Sequence, residues 1–214
     1  MRHIIVSNGG IFDYSFYKGL FKDSDYIICA DGGARHLIEM DIMPNVILGD
    51  LDSIREEDKK IFKEKKVEFY EFPCDKDASD TELALDFALS HGASEVVFIG
   101  AIGSRMDHSI GNITLLKKLL DNDIKGKVIN ENNEIYLLNN KINELTLQGK
   151  EGDYLSIIPL SNSVKGITLS GFKFPLKDAE IPLGSSLGIS NEFARDVVKI
   201  VIKEGFLLVI KARD

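Results

Sequence analysis

SDTELALDFALSHGASEVVFIGAIGS, residues 79–104, is the stretch whose reading decides the fold class. Ser79 and Glu82 stand three apart at its start, the spacing of a capping box, in which side chains satisfy amides that the first helical turn leaves open. Leu83, Ala84, Phe87 and Ala88 then recur at helical spacing, which predicts an amphipathic helix from Ser79 to His91. EVVFIG follows, short, apolar and β-branched, and reads as a strand running into the glycines of GAIGS.

Outward from this helix and strand the alternation continues. HIIVSN, DYIICAD, VILGD and VEFYEF read as earlier strands, and a second helix is predicted from about Arg105 to Leu120 with Ile110, Ile113, Leu116, Leu119 and Leu120 facing inward. Strands alternating with helices imply an α/β domain built on a mainly parallel, helix-covered sheet. After Asn130 the period changes to two, in EIYLLN, NELTLQ, YLSIIPL, VKGITLSGFKF, VVKIVIKEG and FLLVIKA, with Gly, Asn or Pro at the breaks. This pattern predicts an antiparallel β-sandwich without helices, with Lys203-Glu204-Gly205-Phe206 as a hairpin turn. The expected division is an α/β domain over residues 1–130 and a β-sandwich domain over residues 131–214, with no linker-like segment and no internal repeat.

The composition agrees with an ordinary folded chain: of 214 residues 44% are hydrophobic and 28% charged, with 5 Pro. The formal charge is −8, and residues 1–130 carry −7 of it. That balance argues against a nucleic-acid duplex or an anionic membrane as partner, since both want clustered Lys and Arg. A polyanion bound to the acidic part needs a divalent cation between it and the carboxylates. Cys29 and Cys74 are too few and too far apart in sequence for a zinc site or a disulfide framework, and no targeting or membrane-spanning run is visible. A cytoplasmic setting is expected.

In an open parallel sheet, ligands bind beyond the carboxyl ends of the strands. Those ends are polar here: Asn8-Gly9-Gly10, Asp31-Gly32-Gly33, Gly49-Asp50-Leu51-Asp52-Ser53 and Gly100-Ala101-Ile102-Gly103-Ser104-Arg105. Glycine pairs let backbone amides approach an anion, and Asp31-Gly32-Gly33 opens a helix; a tight turn capped by Asp31 is the plainer alternative. Asp50 and Asp52 can both face one ligand if the loop turns between them, leaving Ser53 to begin a helix, and paired carboxylates of this kind hold Mg²⁺ on phosphate oxygens. The plainer alternative makes Asp50 a turn former and Asp52 an N-cap. Asp75, Asp77 and Asp80 crowd three acids before the capped helix, where a cation would relieve their repulsion. Arg105 and Asp107 open the next helix, an arrangement able to clamp phosphate and orient a cation or nucleophile, whereas His108 reads as a surface residue. No GxxxxGK[ST] loop, kinase motif set, HExxH or GxSxG is present.

ADGGARHL, PNVILGDLDSI, DKDASDTELAL and GAIGSRMDHSIGNI, in this order, closely resemble the thiamin pyrophosphokinase family, and GFKFPL and GISNEF resemble that family's C-terminal β-sandwich. The resemblance implies transfer of the terminal diphosphate of ATP to the hydroxyl of thiamin, with Mg²⁺, in a homodimer whose sites lie between subunits. By the same resemblance Asp50, Asp52 and Asp80 form the metal and phosphate site. Asn8, Gly9, Asp31, Gly32, Gly33, Arg105 and Asp107 hold the nucleotide, with Asp80 and Asp107 both candidates for the base. Ser190 and Asn191 help hold thiamin, and Phe174 stands where some members carry Trp. VILGDLDSI also resembles the nucleophile motif of haloacid-dehalogenase-like phosphatases, which would make Asp50 an aspartyl-phosphate; the downstream lysine and acidic pair of that family are not recognisable.

Overall fold

The computed structural model describes residues 1–73 and 77–213, which form two compact units. The first comprises residues 1–115 and 124–131, the second residues 116–123 and 132–214.

Six strands build the sheet of the first unit: β1 (Arg2–Val6), β2 (Tyr26–Ala30), β3 (Val46–Gly49), β4 (Glu68–Glu71), β5 (Glu95–Ile99) and β6 (Lys125–Ile129). They lie in the order β6-β5-β1-β2-β3-β4 and every pair is parallel. Chain order reverses between β1 and β5, so the loops after β1 and β5 flank the topological switch point. Ile4, Val6, Ile27, Cys29, Ile47, Val97 and Ile99 pack on one face with Tyr17, Ala34, Leu37 and Phe62. Those four come from, or border, the helices α1 (Tyr14–Lys18), α2 (Ala34–Met40) and α3 (Glu56–Glu64). The alternate residues Ile5, Ile28, Leu48, Val96 and Phe98 are equally buried, so the strands are apolar on both sides as a covered parallel sheet requires. Each such side chain contributes about 1.5–3 kcal/mol.

Helix α4 (Asp80–Ser90) starts as the capping box predicts, with Ser79 Oγ accepting the Glu82 N–H at 3.2 Å. Its buried stripe is Thr81, Ala84, Leu85 and Ala88, one position round from the predicted one, and Leu83 and Phe87 are only half-buried. The small residues let the helix lie close on β1, β2 and β3, while the Phe87 ring stacks at the helix edge on His91, with centroids 3.8 Å apart. In α5 (Met106–Asp121) Leu116, Leu119 and Leu120 are buried as expected, but Ile110 is 55% exposed. Ser109 and Asn112 take the inward places because the first turns cover a polar loop: Asn112 Nδ2 donates to the Ala101 carbonyl at 2.8 Å and Ser109 Oγ to that of Gly103 at 3.2 Å. Ser53 does not begin a helix. It sits in a turn, and α3 starts at Glu56 after Arg55, which supplies no side-chain cap.

The second unit holds β7 (Asn133–Leu138), β8 (Glu144–Gln148), β9 (Tyr154–Pro159), β10 (Ser163–Ser170), β11 (Leu176–Pro182), β12 (Asn191–Glu192), β13 (Val197–Val201) and β14 (Leu207–Ala212). Within it β12-β9-β14-β7 form one layer and β11-β10-β13-β8 the other, all antiparallel. Leu138, Leu155, Ile157, Leu207 and Val209 of the first layer meet Leu147, Val164, Ile167, Leu169, Ile181 and Ile200 of the second in one core. Lys203–Phe206 is not a hairpin turn: β13 and β14 belong to different layers, and the segment carries the chain across. An alternating pattern reads the same whether the next strand pairs with its predecessor or crosses the core. Among the described residues no helix is long and apolar enough to cross a membrane.

Candidate active site

The parallel strands end in loops that converge at one edge. β2 runs into a 3₁₀ turn, Asp31–Gly33, that leads directly into α2. Asp31 adopts φ +42°, a region costly for a residue with a side chain, and only 7% of it is exposed. After β3, Leu51 adopts φ +63° and makes the turn between Asp50 and Asp52 that a shared ligand demands. Carboxylate oxygens of Asp31, Asp50 and Asp52 thereby come within 4.8 Å of one another.

Asp80, the first residue of α4, stands beside this group rather than within it. Gly49, at φ +148°, separates them: a Cβ there would lie 2.7 Å from the Asp31 Cβ and 3.3 Å from Asp80 Oδ1, so only glycine lets the two acids approach across it. Burial, and then the negative charges of Asp80 and Asp50, push the Asp31 carboxyl above its ordinary range, against hydrogen bonds from Ser53 and the Gly32 N–H. Asp31 Oδ1 is buried and has no hydrogen-bond partner among the described residues. A carboxylate oxygen in that condition, with two further carboxylates beside it, is suited to a hard divalent cation.

Arg105 and Asp107 form a bidentate pair at the start of α5, with Nη2···Oδ2 at 2.6 Å and Nε···Oδ1 at 3.2 Å, both side chains exposed. Arg105, helped by the His108 N–H, holds the Asp107 carboxyl down at about 2. In this state Asp107 is a weak proton acceptor and a firm partner for a guanidinium.

Gly9 and Gly10 spend their amides on backbone. The Gly9 N–H donates to the Gly100 carbonyl at 2.6 Å and the Gly10 N–H to that of Ile102 at 3.1 Å, so the loops after β1 and β5 are stitched together. These amides are therefore engaged with backbone rather than turned towards an anion. A Cβ on Gly9 would overlap the Gly100 oxygen and sit 2.5 Å from that of Ile102. Asn8 is exposed with its carboxamide against Gly32, while Gly32 and Gly33 are buried. Asp77 is exposed; Asp75, with Cys74 and Lys76, lies outside the described residues.

In the second unit Asn191 is 3% exposed and its carboxamide holds the Phe174 backbone: Oδ1 accepts the Phe174 N–H at 3.0 Å and Nδ2 donates to the Phe174 carbonyl at 2.8 Å. Phe174 itself is 59% exposed, with Lys173 Nζ 5.6 Å from the ring centroid. Ser190 adopts φ +55° and its N–H donates to Ser156 Oγ at 3.1 Å. The two residues flank one another in sequence, yet Asn191 acts on the backbone of Phe174 while Ser190 remains exposed.

Two side chains that the sequence gives no role, Tyr14 and His36, are joined by the fold. Tyr14 O–H meets His36 Nδ1 at 3.0 Å, and His36 Nε2 meets the Gly9 carbonyl at 2.8 Å. Because that carbonyl can only accept, Nε2 carries the proton and Nδ1 accepts from the tyrosine. Burial lowers the His36 pKa, in keeping with this neutral ring.

Residues 17–128 match the family described as thiamin pyrophosphokinase, catalytic domain, and residues 140–207 the one described as thiamin pyrophosphokinase, vitamin B1 binding domain. The chain is 34% identical over 188 residues to the thiamine pyrophosphokinase of Bacillus subtilis (strain 168), a match covering 87% of each sequence. Its fold is similar to the crystal structure of thiamine pyrophosphokinase from Bacillus subtilis, with TM-score 0.90 and 31% identity over 100% of both chains. It is also similar to that of thiamin pyrophosphokinase from Geobacillus thermodenitrificans, with TM-score 0.86 and 30% identity, covering 100% of this chain and 98% of that one. The phosphatase alternative has no such support, and Asp50 shares its site with Asp31 and Asp52 instead of standing as a lone nucleophile.

Proposed function

The chain belongs to the thiamin pyrophosphokinase family, and on that premise we propose that it transfers the terminal diphosphate of ATP to the hydroxyl of thiamin. The thiamin oxygen attacks the middle phosphorus, the bond from that phosphorus to the oxygen of the innermost phosphate breaks, AMP leaves, and the hydroxyl proton passes to a carboxylate. The observation that carries the reading is the group Asp31, Asp50 and Asp52 at the strand ends, with a buried Asp31 oxygen that has no hydrogen-bond partner among the described residues.

Those three residues would hold Mg²⁺, which when bound spreads the charge of the phosphate oxygens. Asp31 is thus added to Asp50 and Asp52 as a metal-holding residue, and Asp80 stands beside them. Arg105, oriented by its pairing with Asp107, reaches for phosphate oxygens. Asp107, paired with Arg105 and held at about 2, takes a proton poorly, and Asp80 is the other candidate for the acceptor. Phe174 offers a ring face to thiamin and Asn191 fixes that ring's backbone. A homodimer with sites between subunits is supported by exposed apolar side chains on the second unit, Phe174, Leu183, Leu187 and Ile189, which a partner subunit would cover. The free, buried Cys29 thiol suits a reducing cytoplasm.

Incubation with thiamin, ATP and Mg²⁺ followed by chromatography of the quenched mixture tests the reaction. AMP and thiamin diphosphate in equal amounts are expected. ADP with thiamin monophosphate, or phosphate released without thiamin, overturns the reading.

A further inference from the structure

The second unit, which holds the match to the vitamin B1 binding domain, presents an exposed aromatic ring with a cation already seated on it. Lys173 Nζ stands 5.6 Å from the centroid of the Phe174 ring, within reach of a cation–π contact, and 3.0 Å from each carboxylate oxygen of Glu192. The lysine and glutamate side chains are 55% and 32% exposed, so the group opens to solvent. In the same unit Lys211 Nζ lies equally near the Phe193 ring, but that ring is buried and closed to a ligand.

Backbone pairing fixes the group. Asn191 clamps the Phe174 backbone, and the Lys173 N–H donates to the Glu192 carbonyl at 2.9 Å, so the two segments run side by side. Glu192 stands opposite Tyr154 across β12 and β9, and side chains directly opposite in an antiparallel pair share a face. Tyr154 is exposed as well. Glu192 thus has one exposed ring across the strand pair and another beyond the Lys173 ammonium. Aromatic faces near a carboxylate suit a quaternised nitrogen, which has no N–H to donate and is recognised through its charge and its flat or rounded apolar surface. The thiazolium ring of thiamin carries such a nitrogen.

We infer that Lys173 is a placeholder for the cationic ring of thiamin: it occupies Glu192 and the Phe174 face in the free protein and yields both to the thiazolium, so that Lys173 and Glu192 together set the preference for a cationic over an uncharged ligand. The inference rests on the reading that the chain takes thiamin. An exposed ion pair of this kind is weak, so one cation replaces the other at little cost. A cation on a ring face corresponds to about 2- to 30-fold in affinity.

Calorimetry on the full chain, with Mg²⁺ and a non-hydrolysable ATP analogue present, reads the binding of thiamin and of a neutral isostere whose thiazolium is replaced by an uncharged thiophene ring. The ratio of the two affinities is the measured quantity, because a folding defect weakens both ligands together. Lys173→Met should raise the preference for thiamin at least about twofold, since the competing ammonium is gone. Glu192→Gln should lower it at least about threefold, since the lysine then stays beside the ring without a counter-ion. The double variant should fall between the two. A ratio unchanged in both single variants would overturn the inference, as would a lower preference for thiamin in Lys173→Met, which would make the lysine a direct partner of the ligand. Absence of thiamin binding in the wild type would overturn the inference and the proposed reaction together. Opposite shifts in a chain that makes no thiamin diphosphate would support the inference and remove the reaction; normal turnover with unchanged ratios would do the reverse.

Discussion

Replacing Asp31 by Asn should make the protein more stable in EDTA and nearly inactive. Asp31 is buried, has an oxygen without a hydrogen-bond partner among the described residues, and has carboxylate oxygens of Asp50 and Asp52 within 4.8 Å. At that distance and an effective dielectric of about 20, two like charges repel by about 3.5 kcal/mol. Asp50 is half-exposed and Asp52 exposed, so solvent screening brings the net gain on neutralising Asp31 to about 1–2 kcal/mol. For a chain of this length that raises the melting temperature by about 2–8 °C. An amide oxygen still accepts the Ser53 hydrogen bond, so the turn is kept. Mg²⁺ should reverse the order: at tenfold excess over its dissociation constant it stabilises the wild type by about 1.4 kcal/mol, and the variant by little. Thermal melts with EDTA and with Mg²⁺, run beside turnover measurements, give both signs. A variant that melts lower than wild type in EDTA, or that gains as much from Mg²⁺, would refute the argument that these carboxylates repel one another and share a cation.

Asn191→Ala frees the Phe174 backbone and should raise the thiamin KM by up to about thirtyfold at nearly constant ATP KM, the equivalent of two hydrogen bonds of about 1 kcal/mol each; equal effects on both substrates would count against it. Gly9→Ala drives a Cβ into the Gly100 and Ile102 carbonyls and should cost about 1–3 kcal/mol, read as a lower denaturation midpoint in urea. His36 has its folded pKa depressed by burial, so the unfolded chain takes up its proton first as the pH falls. Stability from this residue is therefore full above the ordinary histidine range and lost as the pH falls through the lower folded value; melting temperatures from pH 7.5 to 5 should drop, and less steeply in His36→Gln.

Much of the architecture is written locally. Parallel strands covered on both faces need continuous apolar runs, and residues 4–6, 27–30, 46–48 and 96–99 supply them, which is why these strands are legible without any partner in view. The capping box at Ser79 and Glu82 is equally local, because its atoms lie within one turn. The period of two after residue 130 reports the sandwich for the same reason. β11 and β12 gave weaker signals, the first mostly exposed and the second two residues long, and the α5 stripe failed at Ile110 because a polar loop lies beneath its first turns.

The acids of the site could be named from the chain, since strand ends in an open sheet deliver them to one edge. Which of them meet could not. That Asp31 joins Asp50 and Asp52 while Asp80 stands across Gly49 depends on the register of β2 against β3 and on how closely α4 lies over them. The same holds for Asn191, whose type suggests a ligand-binding amide but whose two hydrogen bonds are spent on Phe174, seventeen residues away. Lys173 and Glu192, nineteen residues apart, likewise meet only in the fold. Backbone periodicity and turn chemistry act within a few residues and are carried by the sequence itself; the partners of a side chain are chosen by packing between distant segments, and only the tertiary structure decides them.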